Sequence, residues 1–425
     1  MNTARTLAKR TVVWAVFFFL VYIALVVKLI TVHQYQSNLI FAAYSLIITI
    51  YILSRFVLAY YNDGRRHRYD LNFLPTVTFG VPSKNEQSGI RATILGIAGT
   101  DYPKDKFNII AVNDGSTDGT LAEMQAAAAE ARRLGVTVEV IDWAVNRGKR
   151  EGMAECIRRS THDIICFIDS DSLIEPQTTR EMVKYFANPT IGAVTAHGYV
   201  QNADTNILTR MQAVKYYISF KAYKSAESLF GCVTCCSGCG AAYRRTTLAG
   251  VVDEWRQQTF LGAICTFGDD RSLTNLVLRQ NMKAVYAPEA PVHTMVPDSW
   301  KVYMKQQMRW KKSWIRESLR ASTFMWRKPF LMSLGFYTGL LLPFLAPVVV
   351  LRAIIYYPSF THHLPVFYMF GITLMGLIYG LYYRIYSRRS DWLVGTVATL
   401  IFGVVLIVQF PYALANIRDG RWGTR

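Results

Sequence analysis

A chain of 425 residues, 52% hydrophobic and carrying a formal net charge of +18, has room for two or three domains and for a sizeable core. The charge does not point to nucleic acid, because the basic residues cluster beside apolar blocks: Arg65, Arg66 and Arg68 after one, Arg384, Arg388 and Arg389 after another. That placement follows the positive-inside pattern and suits anionic lipid headgroups.

In chain order, residues 11–31 and 38–60 are each apolar and long enough to cross roughly 30 Å of hydrocarbon. The first is too long for a signal-peptide core and no small-residue cleavage site follows it, so two retained spans are expected. Their connection, TVHQYQS, carries no Lys or Arg. Both ends of this hairpin, and the middle of the chain, are therefore expected in the cytoplasm.

Between residues 70 and 328 the pattern changes. VTFGVP (77–82), FNIIAVND (107–114), VTVEVID (136–142), DIICFIDSD (163–171) and IGAVTA (191–196) read as strands, several apolar on both faces. Helix formers lie between them, as in GTLAEMQAAAAEARRL (119–134). This alternation predicts an α/β domain with a mostly parallel sheet, whose ligands bind at the carboxyl ends of the strands. All seven cysteines fall in this region, and CVTCCSGC lacks a second ligand knuckle of matching spacing, so free thiols are expected.

Three apolar blocks follow: 330–356, 363–386 and 391–414. The last contains Gly395, Gly403 and Pro411 and has arginines on both flanks, which predicts a broken or re-entrant pair returning the C-terminus to the cytoplasm.

Two of the strands end in acids. Asp169 and Asp171 in IDSDS can share a hard divalent cation, Mg2+ or Mn2+, with a diphosphate as co-ligand. The alternative for them is a turn cap. Asn113 and Asp114 in NDGSTDG suit recognition of a base or ribose, or else only cap the helix near Thr120. Lys149 in NRGKR is a point charge suited to phosphate. In FGDDR, one of Asp269 and Asp270 is a candidate general base, although both also favour a helix N-terminus.

The ordered set VPSKNE, NDGS, NRGK, DSD, CCSG, GDDR and QQMRW resembles the processive, membrane-embedded family 2 glycosyltransferases, especially hyaluronan synthases and, next, rhizobial chitin-oligosaccharide synthases. The resemblance runs from about residue 12 to Arg425. It implies a GT-A (Rossmann-like) cytoplasmic domain at 61–298, inserted between two transmembrane helices (1–60) and interfacial helices (299–328). C-terminal transmembrane helices forming a channel (329–416) and a tail at the active site (417–425) complete the layout.

By position, the resemblance places Glu86, Asn113, Asp114, Lys149, Asp169, Gln306 and Arg309 at the nucleotide, with Trp422 and Arg425 of the tail closing over it. It assigns Asp169 and Asp171 to the metal, Asp270 to the general base, and Cys236, Ser237, Gly238 and Trp310 to the acceptor. Implied partners are UDP-GlcNAc and UDP-GlcA, the growing polysaccharide and plasma-membrane lipids; a chitin-type enzyme would use UDP-GlcNAc alone. Two departures stand out: Asn113 replaces the first acid of the family's D-D-G-S, and Cys239 replaces the proline of its C-S-G-P. Within KQQMRWKKSWIRES (305–318), Lys311, Lys312, Trp314 and Arg316 are expected to anchor on the membrane interface, opposite Gln306, Arg309 and Trp310. A transporter would need ionisable residues deep in its spans, and Lys28, Arg55 and Arg352 lie near span ends.

Overall fold

A computed structural model describes residues 2–34, 39–64, 72–387, 389 and 391–420. Arg65, Arg66, Arg68, Arg388, Trp422 and Arg425 lie outside them.

The central domain is an eight-stranded sheet with helices on its faces. Its strands are β1 (Val77–Ser83), β2 (Phe107–Asp114), β3 (Thr137–Trp143), β4 (Ile164–Phe167), β5 (Ser172–Ile174), β6 (Ile191–Val200) and β7 (Ala241–Arg244). After a small hairpin, β8 (Thr259–Phe260) and β9 (Ala263–Ile264), the long β10 (Lys283–Thr294) completes it, giving the order β3-β2-β1-β4-β7-β6-β10-β5. The sheet is mixed rather than mostly parallel. β3, β2, β1 and β4 run parallel, but β7 inserts antiparallel between β4 and β6, and β5 pairs antiparallel with β10. The apolar runs of β1 and β2 are buried over nearly their whole length, as strands covered on both faces must be.

The parallel half brings three strand ends to one edge. Asn113 and Asp114 end β2, Asp142 and Trp143 end β3, and Asp169 to Asp171 follow β4. Helices start beside them at Lys149 and Asp269.

Among the described residues, two helices are long and apolar enough to cross a membrane, Ile40–Asp63 and Phe330–Thr361. A third span forms if the pair Trp392–Gly403 and Ile407–Ala415, bent by 41°, is counted as one. The bend falls in the block whose glycines and proline predicted a break. Asp63, at the end of the first of these helices, pairs with Lys221 at 2.8 Å, and Asn62 donates to Ser225 Oγ at 3.1 Å. These contacts tie the apolar helix to the wide π-helical turn Ser219–Lys224 beside the sheet.

The Trp300–Ala321 helix is held on two sides. Toward the α/β domain, Asn275 Nδ2 donates to the Glu317 carbonyl at 2.9 Å and Arg316 donates to the Phe267 carbonyl at 2.9 Å. Toward the C-terminal helices, Tyr303 stacks on Phe402 with ring centroids 5.2 Å apart, and Ile315 packs with Phe410 and Ala413. The expected surface anchors therefore point inward. Lys312 is buried in an ion pair with Asp419 at 3.1 Å, Arg316 is buried over the Phe267 ring, and Lys311 Nζ is enclosed. These cations meet protein neighbours, while Trp300, Val302, Trp310 and Leu319 of the same helix stay exposed.

Candidate active site

Each motif is placed by a local device. Asp114 accepts hydrogen bonds from the backbone N–H groups of Arg147 (2.6 Å) and Gly148 (2.9 Å), so the acid at the end of β2 shapes the NRGK loop. That loop opens the Lys149–Arg159 helix, and Lys149 Nζ forms an ion pair with Asp169. Burial pulls the Lys149 ammonium down, but Asp169 and Asp270 outweigh it and hold it above the usual lysine value. Asn113 donates to Asp142 Oδ1 at 2.6 Å. Glu86 is buried, its N–H donating to Thr120 Oγ1 at 2.7 Å.

Asp118 does the capping in NDGSTDG, accepting from the Thr120 N–H at 3.0 Å. Asn113 and Asp114 are thereby left for the strand end itself.

The two acids of FGDDR separate cleanly. Asp269 is 1% exposed and accepts from Arg150 Nε at 2.7 Å, with Arg150 also bound to the Trp255 carbonyl (3.1 Å) and Gln258 (3.0 Å). Asp270 Oδ2 instead accepts from the Gly238 N–H at 3.1 Å. Gly238 in turn accepts from the Asp169 N–H at 3.1 Å, and a Cβ on it would sit 3.0 Å from both carboxylate oxygens of Asp169. Only glycine lets the loop approach that closely. Lys149, Asp169, Cys236, Gly238, Tyr243 and Asp270 line one small cavity.

The acceptor loop is fixed from behind. Cys236 N–H donates to Thr274 Oγ1 (2.9 Å), Ser237 N–H to Thr195 Oγ1 (3.3 Å), and Lys224 Nζ reaches both the Cys235 carbonyl (2.5 Å) and Ser237 Oγ (2.7 Å). Burial pushes the Cys236 and Cys239 thiols up to about 12, so neither is a nucleophile at neutral pH. All the cysteines are unbridged. Lys224 lies in no motif; its only signal in the sequence is that it is the second lysine of the run SFKAYK.

From the other side comes the Trp300–Ala321 helix. Burial lowers Arg309, while the charges of Asp270 and Asp169 act against that shift. Gln306 Oε1 is buried without a hydrogen-bond partner among the described residues, which suits a ligand with donors of its own. Trp310 is partly exposed, its ring 6.2 Å from that of Tyr216.

The acid pair after β4 fits a divalent cation. Burial and the neighbouring Asp169 charge push the Asp171 carboxyl up to about 6, with Lys149 acting against them. Among the described residues no group of three or more His, Cys, Asp or Glu converges on one point. A cation between Asp169 and Asp171 would complete its shell from water or diphosphate oxygens.

The fold and these strand-end acids define a GT-A-like glycosyltransferase. The chain belongs to the family described as "Glycosyltransferase like family 2", which matches residues 75–313. It is 30% identical over 397 residues to an N-acetylglucosaminyltransferase of Rhizobium meliloti (strain 1021), covering 92% of this chain and 91% of that one. It is 28% identical over 390 residues to a hyaluronan synthase of Streptococcus pyogenes, covering 90% of each. In fold it matches the mannosyltransferase PcManGT of Pyrobaculum calidifontis, solved with GDP-Man and Mn2+, with a TM-score of 0.60 at 20% identity over 86% of this chain and 98% of that one.

Proposed function

We propose that this protein is a processive synthase that builds hyaluronan from UDP-GlcNAc and UDP-GlcA by inverting transfer and exports it through its own membrane helices. The reading rests above all on the bridge Asp270–Gly238–Asp169, which joins a base, an acceptor loop and a donor acid within one small cavity.

Asp270 takes the proton of the acceptor hydroxyl, whose oxygen attacks the anomeric carbon from the face opposite UDP; the bond to the diphosphate breaks and UDP leaves. Mg2+ or Mn2+ bound at Asp169 and Asp171 would supply neutralisation of the diphosphate charge. Lys149 and Arg309 hold the diphosphate, and Gln306 donates to it through its side-chain amide while its Oε1 accepts from a sugar hydroxyl. Asn113, Asp114 and Glu86 hold the nucleoside. Trp310 stacks on the acceptor ring against the loop Cys236-Ser237-Gly238. Trp422 and Arg425, outside the described residues, close over the nucleotide; in support, Thr266 in the segment before FGDDR donates to the Gly420 carbonyl. The catalytic domain faces the cytoplasm of a multi-pass plasma-membrane protein, where UDP-sugars are available.

Two half-buried lysines lie at the helix that carries Trp310. Lys215 Nζ bonds only to neutral groups, Gln307 Oε1 (2.7 Å) and Tyr303 Oη (3.5 Å), and Lys311 Nζ has no partner among the described residues. Burial lowers them to about 8 and about 7. Tyr303, Gln307 and Lys311 form one stripe of the helix that carries Trp310. With Tyr303 and Gln307 buried and Lys311 Nζ enclosed, this stripe packs against protein rather than lining an open path, and it does not bear on the charge of the polymer.

The similarity to an N-acetylglucosaminyltransferase favours a second reading, a chitin-type polymer from UDP-GlcNAc alone. Incubation of the purified protein with radiolabelled UDP-GlcNAc, with and without UDP-GlcA, separates them. Polymer that needs both donors and yields to hyaluronidase supports hyaluronan; polymer from UDP-GlcNAc alone overturns it.

A further inference from the structure

The end of β2 departs from the family's pattern at Asn113, and its neighbour on β3 answers the departure. The register pairs Asn113 with Asp142, and the Asn113 side-chain amide donates to Asp142 Oδ1 at 2.6 Å while its oxygen accepts from the Ser116 N–H at 3.4 Å. Asn113 is buried and Asp142 is exposed. An aspartate at 113 would set carboxylate against carboxylate at that distance, a strongly repulsive arrangement. The neutral residue at 113 is therefore matched to the acid at 142.

The neighbouring acid is differently engaged. Both oxygens of Asp114 already accept backbone N–H groups of the NRGK loop. Asp142 has Oδ1 bonded to Asn113 and its side chain lies exposed at the carboxyl edge of the sheet, where ligands of open α/β folds bind. Beside it, Trp143 is covered by the Arg147 guanidinium, 4.6 Å above its ring.

We propose that Asp142 is a nucleoside-reading residue of the donor site, accepting a hydrogen bond from the base imide or a ribose hydroxyl in place of the acid that Asn113 lacks. The inference rests on the nucleotide reading of this edge. Its chemistry is that of a carboxylate meeting N–H or O–H donors, a charge-assisted contact that an amide would only half reproduce.

The test uses the full chain in nanodiscs and calorimetric titration with UDP, CDP and 2′-deoxy-UDP. Asp142→Ala is expected to weaken UDP about tenfold and, because the buried Asn113 amide loses its acceptor, to lower the melting temperature, whereas Asp142→Asn, which keeps that acceptor, weakens UDP with no such fall. If the lost bond is to the base imide, the UDP-over-CDP preference shrinks in the variant; if it is to the ribose, the UDP-over-2′-deoxy-UDP preference shrinks. Asn113→Asp alone is expected to weaken UDP as well, and Asn113→Asp combined with Asp142→Asn to recover affinity to within about threefold of wild type, because the acid and amide have exchanged places. UDP affinity unchanged in Asp142→Ala, or a double variant no better than Asn113→Asp, overturns the assignment. Wild-type protein that fails to bind UDP overturns the donor-site reading itself.

Discussion

Gly268 and Ser313 touch so closely that a Cβ on the glycine would lie 2.6 Å from Ser313 Oγ, and Gly268 also holds φ at +91°. It is the last residue before the Asp269–Arg279 helix, so one glycine both starts the helix bearing the candidate base and seats it on the helix bearing Gln306, Arg309 and Trp310. Gly268→Ala is therefore expected to cut polymer synthesis at least tenfold, through strain at positive φ and displacement of Ser313. A radiolabelled incorporation assay measures it. Wild-type turnover would show that the two helices need no fixed contact.

The neighbouring acids should fail in different ways. Asp270→Asn is expected to abolish incorporation while leaving UDP affinity within about threefold, since only the base is lost. Asp269→Asn leaves the buried Arg150 uncompensated and is expected to cost about 3–5 kcal/mol of stability. Thermal unfolding in detergent, run alongside activity, distinguishes them. Substantial turnover in Asp270→Asn would remove it from the base role.

Asp171 predicts a pH dependence for metal binding. Its carboxyl, raised to about 6, is protonated below that pH in the folded chain and must ionise to bind a cation. Mn2+ affinity should therefore fall by up to tenfold per unit as pH drops below about 6, and level off above it. The stability linkage runs the other way. The folded carboxyl keeps a proton that the unfolded one loses near 3.8, so metal-free stability declines as pH rises through 4 to 6. Asp171→Asn should raise the metal-free melting temperature by a few degrees at pH 7.5 and abolish its shift with Mn2+. A manganese-dependent shift that survives in the variant would sink the metal assignment.

The enclosed Lys311 predicts a stability effect. Burial holds its ammonium near 7, so between pH 7 and about 10.5 the folded chain releases a proton that the unfolded chain keeps, and stability rises with pH across that window. Lys311→Met, which keeps length and removes the charge, should therefore raise the melting temperature, and by more at pH 6.5 than at pH 8.5. A melting temperature unchanged or lowered at both pH values would show that the ammonium is compensated where it sits.

Much of the site was legible because parallel strands advertise themselves: FNIIAVND is apolar on both faces and stops at the acids that matter. What stayed hidden depends on partners far away in sequence. AAYR is too short to reveal that β7 enters antiparallel, which makes the sheet mixed. Lys312 and Arg316 look like membrane anchors until Asp419 and Phe267 are seen against them. The choice between Asp269 and Asp270 turns on Arg150, 119 residues upstream of Asp269. Asp142 and Lys224 sit in no motif, and only register and the loop they touch give them a role.

The Lys312–Asp419 ion pair has one more implication, for anyone wishing to cut the enzyme into parts. It lies two residues beyond Trp310 and joins that helix to the segment following the last apolar helix, with Gln409 adding a contact to the Met304 carbonyl at 3.4 Å. A water-soluble fragment ending near residue 321 would expose Ile315 and Tyr303 and leave Lys312 without its counter-ion. Such a truncation is a poor starting point for crystallography or inhibitor screening, and a chain that keeps residues through Asp419 is the smallest sensible unit for either.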